Sequence, residues 1–223
     1  MKINKLERIA VEPETAATSC VIWLHGLGDS GAGFAPIVPV LQLPIDHSIR
    51  FIFPHAPEQA VTINQGAVTR SWYDIKSMEL HNRANIDDVL KSEKLIHALI
   101  QEQLDDGIPS EKIILAGFSQ GGVMSLFTGL RYPQKLAGII AKSCYLPNGD
   151  QLPPELASIN KQTPILQHHG EQDQVVPFNA GEMANKLLLE NGYDVQWSSY
   201  AMPHTVIAEQ IAEISEWIQK ILK

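Results

Sequence analysis

Four apolar residues, Ile113-Ile114-Leu115-Ala116, run straight into Gly117-Phe118-Ser119-Gln120-Gly121-Gly122, and beyond them Val123, Met124, Leu126, Phe127 and Leu130 recur at helical spacing. The order is strand, sharp turn, helix. A serine flanked two residues away by glycines in that setting, the G-x-S-x-G pattern, is held on a strained elbow at the carboxyl end of a buried strand. Strand and helix approach so closely there that a Cβ at either glycine would clash. Ser119 is therefore a candidate nucleophile, its plainer alternative being a serine in a turn that serves only packing.

The rest of the chain alternates between strand and helix. Residues 6–11 suit a short edge strand, and residues 19–24 (Ser-Cys-Val-Ile-Trp-Leu) a strand covered on both faces. Residues 50–53 give another strand. Between 56 and 84 no period is legible, although Trp72, Tyr73, Ile75 and Met78 are apolar; an irregular stretch of this length suits the wall or flap of a pocket, or an excursion covering part of the core. Apolar residues from Ile86 to Leu104 recur as on a helix with Asp87 and Asp88 near its positive end. Strands follow at 136–141, 164–167 and 195–200, with helices at 179–190 and from Ile207 to Ile221 and a connecting loop at 148–161. This alternation predicts an α/β fold, a mostly parallel sheet with helices on both faces.

With 223 residues, 44% of them apolar, the chain is expected to form one domain, 1–223. The net charge of -8, with no basic cluster, argues against a nucleic-acid partner. Residues 1–8 are charged and lack the apolar run of a secretory signal, and no later run has transmembrane length, so a cytoplasmic location is expected. Cys20 and Cys144 are too few for a disulfide framework and are expected to be reduced.

In a parallel sheet ligands sit at the carboxyl ends of the strands. That rule selects Ser119, Asp173 and His204, each directly after a predicted strand or within a short loop of one. Their order, Ser then Asp then His, is that of an α/β-hydrolase fold. His204 would take the Ser119 proton, and Asp173 would fix the imidazole tautomer. Glu171, two residues from Asp173, is the rival for that last role. A second Gly-rich loop, His25-Gly26-Leu27-Gly28-Asp29, follows the strand at 19–24. Its Leu27 amide, with that of Gln120, is the candidate oxyanion hole; alternatively the loop only turns the chain. His25 suits a structural role better than that of a base. His168, His169, Glu171 and Asp173 invite a metal reading, but adjacent histidines on a strand face opposite ways, so no metal and no cofactor is expected.

These segments resemble the phospholipase/carboxylesterase family of α/β-hydrolases, the carboxylesterase and acyl-protein thioesterase group. The resemblance rests on Leu24-His25-Gly26-Leu27-Gly28-Asp29, Pro54-His55-Ala56-Pro57, Ser71-Trp72-Tyr73-Asp74, the Ser119 elbow, Ser143-Cys144-Tyr145-Leu146-Pro147, His169-Gly170 with Asp173 and Val176-Pro177, and Met202-Pro203-His204. It implies a small α/β-hydrolase with no large cap domain, a Ser119, Asp173, His204 triad, an oxyanion hole from Leu27 and Gln120, and hydrolysis of esters or thioesters with apolar acyl chains. Thr205 stands where such sequences often carry serine. By position and by resemblance, Leu27, Trp72, Tyr73, Ile75, Tyr145, Leu146, Val175 and Val176 are expected to line an acyl channel. The expected partners are a small ester or thioester, a lipid or an acylated protein, with peripheral membrane contact through 56–84 and a homodimer as further expectations. Two alternatives remain beside the esterase: an interfacial, lysophospholipase-like enzyme inserting Trp72 and Met78 into membranes, and a hydrolase-fold protein that binds without turnover.

Overall fold

The strands that read as unbroken apolar runs are those covered on both faces. In the computed structural model, which describes residues 5–149 and 151–223, all six side chains of Ser19–Leu24 are buried. Residues 1–4 of the amino-terminal stretch and Asp150 of the 148–161 loop lie outside the described residues. In chain order the elements are β1 (Arg8–Val11), β2 (Ser19–Leu24), α1 (Gly31–Phe34), α2 (Ile37–Val40), β3 (Ile49–Pro54), β4 (Glu58–Val61), β5 (Ala67–Arg70), α3 (Ile86–Asp105), β6 (Ile113–Phe118), α4 (Gln120–Arg131), β7 (Gly138–Lys142), β8 (Ile165–Gly170), α5 (Phe178–Glu190), β9 (Val195–Tyr200) and α6 (Ala208–Ile221).

The main sheet has the order β1-β3-β2-β6-β7-β8-β9. Only β1 is antiparallel to its neighbour; the other pairs are parallel. Alternation along the strands sends one set of side chains to each face. Ile22, Leu24, Leu115, Ile139 and Ile165 pack with α3 and α4 on one side. Val21, Trp23, Ala116, Ile140 and Leu166 pack with Ile214, Trp217 and Ile218 of α6 on the other. Two apolar layers thus clamp the sheet, each fully buried aliphatic side chain contributing about 1.5–3 kcal/mol. The α4 helix is buried from Gln120 to Leu130, so its apolar residues surround it rather than forming one stripe.

Two sequence expectations need correction. The 56–84 segment is not irregular throughout: β4 and β5 form an antiparallel hairpin turning through Gln65 and Gly66, both at positive φ, and Ile75 bridges to Ala84. Strand β8 also runs past Gln167 to include His168, His169 and Gly170, all buried. Hydrogen bonds to β9 continue that far, and polar side chains at a strand end hide its length from a hydrophobicity pattern.

The crossing of β6 and α4 is as tight as the glycine spacing demands. A Cβ on Gly117 would lie 2.1 Å from the Gly121 carbonyl oxygen, and one on Gly121 would lie 2.2 Å from that of Leu24 and 2.7 Å from that of His25. These obstacles are backbone and cannot rotate away. Gly121→Ala is expected to cost about 3 kcal/mol, read as a lower urea midpoint at unchanged slope; a variant as stable as the wild type would show slack at this crossing and contradict the steric account.

Candidate active site

Ser119 lies between β6 and α4 with φ 55° and ψ -119°, a backbone conformation that costs a non-glycine residue on the order of 1–3 kcal/mol. The site is held there from both sides: the Ser119 amide donates to the Lys142 carbonyl at 2.8 Å, and its carbonyl accepts from the Val123 amide at 3.0 Å. The hydroxyl therefore stands above the carboxyl edge of the sheet, half-buried.

His204 arrives on the loop between β9 and α6, and Asp173 on the loop after β8. Those loops are stitched together by the Gln172 amide, which donates to the Met202 carbonyl at 3.1 Å, and by the Glu171 amide, which donates to the Tyr200 carbonyl at 2.8 Å. His204 Nε2 lies 2.9 Å from Ser119 Oγ, and His204 Nδ1 lies 2.6 Å from Asp173 Oδ2. The other carboxylate oxygen, Oδ1, accepts the amides of Val175 at 2.9 Å and Val176 at 2.8 Å. Burial alone would push the Asp173 carboxyl up, but the hydrogen bonds from His204, Val176 and Val175 outweigh it and hold the carboxyl below its ordinary range. An acid kept ionised fixes the Nδ1–H tautomer, leaving Nε2 as the lone-pair acceptor for the serine proton.

Glu171 does not compete for this place: it accepts from Ser199 Oγ at 2.8 Å on the surface. His168 and His169 face opposite sides of the sheet, the first towards Glu213 of α6, the second towards Phe178 and Trp197. His169 Nε2 lies 2.9 Å from the Val176 carbonyl and 3.6 Å from Asp173 Oδ2, so it buttresses the acid turn, a role the sequence did not disclose.

The Leu27 and Gln120 amides have no hydrogen-bond partner among the described residues, and the Gln120 amide opens α4, whose positive end points at the elbow. His25 is buried and structural: Nε2 accepts from the Ala56 amide at 3.0 Å, so Nδ1 carries the proton and donates to the Gly26 carbonyl at 2.7 Å. Burial lowers its pKa and keeps the ring neutral. The Gln120 side chain grips the 71–73 segment, with Oε1 accepting from the Trp72 amide at 2.8 Å and Nε2 donating to the Tyr73 carbonyl at 2.7 Å. Thr205 is exposed, its amide donating to the Pro203 carbonyl at 2.8 Å, outside the triad contacts.

The residues expected to line an acyl channel divide into two groups. Trp72, Tyr73, Leu146 and Val176 have 0–1% of their surface exposed, and Ile75 and Tyr145 little more; they pack in the α3 and α4 layer as a closed floor. Leu27 is half-buried and Val175 is exposed, at the rim. Trp72 cannot insert into a membrane as expected, because it is wholly enclosed and donates from Nε1 to the His25 carbonyl at 2.9 Å. Met78 is exposed.

Known proteins resemble this chain over nearly its whole length. A family model described as Phospholipase/Carboxylesterase matches residues 6–222. Acyl-protein thioesterase 1 of Gibberella zeae is 38% identical over 100% of this chain and 98% of its own. The crystal structure of Arabidopsis thaliana SOBER1 superposes with a TM-score of 0.86 at 33% identity, covering 92% of this chain and 99% of that one. That of Zea mays acyl-protein thioesterase 2 gives 0.84 at 26% identity, covering 97% and 99%. An elbow serine on a mostly parallel sheet, matched over nearly the whole length by one family model, makes this chain a member of the phospholipase/carboxylesterase family of α/β-hydrolases.

Proposed function

We propose that this chain is a serine hydrolase that cleaves carboxylic esters or thioesters with apolar acyl groups, using Ser119, His204 and Asp173. The observation that carries this is the continuous relay from Ser119 Oγ through both imidazole nitrogens to a buried, doubly braced carboxylate. His204 takes the serine proton as Oγ attacks the acyl carbonyl. The amides of Leu27 and Gln120 stabilise the oxyanion, and the imidazolium returns its proton to the departing alcohol or thiolate. Water, activated by the same histidine, then releases the acid. A thiol leaves with a pKa near roughly 8.5, well below that of an alcohol, so a thioester asks less of the acid step.

The acyl group is assigned to the rim formed by Leu27 and Val175 over the floor of Trp72, Tyr73, Ile75, Tyr145, Leu146 and Val176. Each methylene that leaves water there contributes about 0.8 kcal/mol, roughly fourfold in kcat/KM. A panel pairing ester and thioester versions from acetyl to palmitoyl, run beside Ser119→Ala, is expected to show rising kcat/KM up to a cutoff set by the closed floor. A profile flat from acetyl to octanoyl would remove the channel.

A lipid or acylated protein as natural substrate belongs to the same proposal, as does a cytoplasmic setting, which the two buried, unpaired cysteines support. No helix of the described residues is long and apolar enough to cross a membrane. Val68, Met78 and Val175 are exposed and apolar, and are the candidate contacts for a peripheral membrane or for a second copy. Liposome co-sedimentation and sedimentation velocity distinguish the two.

A further inference from the structure

Arg83 is the anomaly of the segment between the hairpin and α3. Its side chain is 2% exposed, and Nε and Nη1 have no hydrogen-bond partner among the described residues. Arg131, the comparable half-buried arginine, has its charge offset by Glu93 at 2.7 Å and Glu155 at 3.4 Å. Enclosing a guanidinium with so few hydrogen bonds is costly.

What Arg83 does touch is the acid turn. Nη2 donates at 2.8 Å to the carbonyl of Val175, the residue whose amide holds Asp173 Oδ1. The guanidinium carbon lies 5.1 Å over the ring of Tyr145, whose hydroxyl lies 2.9 Å from that of Tyr73. Tyr73 belongs to the segment gripped by the Gln120 side chain, next to the nucleophile. The root of Arg83 is fixed as well, since its carbonyl accepts from the Lys76 amide at 2.9 Å beside the Ile75–Ala84 bridge. The contacts therefore close a ring: from Gln120 through Tyr73, Tyr145 and Arg83 to Val175 and Asp173, and back through His204 to Ser119.

We infer that Arg83 is a positioning residue for the reaction, holding the Val175 peptide so that the carboxylate of Asp173 stays aimed at His204 Nδ1. It touches no reacting atom and acts through Val175. The inference rests on the triad proposed above. Without the Arg83 donor the acid turn is free to rotate, the Asp173 to His204 bond lengthens, and turnover suffers more than binding.

The test uses Arg83→Met, which keeps length and apolar contact, and Arg83→Gln, whose shorter amide stays polar but cannot span to Val175. Arg83→Lys serves as the conservative variant and Arg131→Met as a control for loss of a structural arginine. Kinetics on a chromogenic ester are measured with the downfield proton resonance of His204 Nδ1–H. We expect Arg83→Met and Arg83→Gln to lose about tenfold in kcat with KM within threefold, and their downfield resonance to move towards the amide region. Arg83→Lys should recover at least half of the logarithmic loss. Arg131→Met should melt earlier with kcat and resonance unchanged. Folded Arg83→Met and Arg83→Gln proteins with wild-type kcat and resonance would overturn the inference, and so would failure of both to fold, which would make Arg83 a core residue only. Wild-type turnover that survives Ser119→Ala would instead contradict the hydrolase reading, so the two failures are distinguishable.

Discussion

Ser119→Ala is expected to lower kcat/KM for a chromogenic short-chain ester by about 10⁴-fold or more while leaving the fold intact. The removed Oγ is the atom 2.9 Å from His204 Nε2, on a residue that is only half-buried. What survives is the contribution of the Leu27 and Gln120 amides to bound substrate acting on water. Because serine and histidine work as one unit, His204→Ala and the double variant should fall to about the same floor, and the two losses should not add. A Ser119→Ala enzyme retaining more than about a hundredth of wild-type activity would remove the serine from the chemistry.

The second large effect concerns stability. Lys142 ends β7 with no exposed surface, its Nζ lacks a hydrogen-bond partner among the described residues, and it lies 6.0 Å from the centre of the Phe118 ring. Burial without a counter-charge drives its pKa down to about 7. The unfolded chain, whose lysine titrates near roughly 10.4, therefore binds more protons than the folded one between about pH 7 and pH 10. The contribution of Lys142 to stability therefore rises with pH across that window, and below it the folded state carries the full penalty of an enclosed ammonium. At 1.36 kcal/mol per pH unit the penalty at neutral pH is about 4–5 kcal/mol. Lys142→Met, which replaces the amine with an apolar chain of similar length, should therefore raise stability at pH 7 by at least about 2 kcal/mol. The advantage should shrink as the pH approaches 10. Chemical denaturation of both proteins across that range checks the sign; a gap independent of pH would mean that Lys142 finds a partner or a path to water.

Lys142 also marks where sequence stops being legible. A lysine closing an apolar run reads as the strand meeting solvent, whereas the folded chain leaves Lys142 no exposed surface. His168 and His169 mislead in the same way: their polarity ends the apparent strand at Gln167, whereas the backbone pairs with β9 as far as Gly170. The β4–β5 hairpin escapes because each strand has only four residues, and α1 and α2 are too short to display a period. Ser119, Asp173 and His204 were legible as candidates because position does the selecting: each lies just beyond a strand, β6 at the centre of the sheet, β8 beside its edge and β9 at the edge. Gly117 and Gly121 were legible for a steric reason that the distances to Gly121 and Leu24 carbonyls repeat. Arg83 was invisible because nothing local distinguishes it from a solvated loop arginine; its target, the Val175 carbonyl, is 92 residues away.

The most direct test of the convergence of Ser119, His204 and Asp173 is peptide mass spectrometry of the protein after brief treatment with a fluorophosphonate. A single adduct on Ser119 is expected, forming at least about a hundredfold more slowly in His204→Ala, since the reagent reports a serine activated by its base. No adduct on Ser119, or one that forms as fast without His204, would contradict the account.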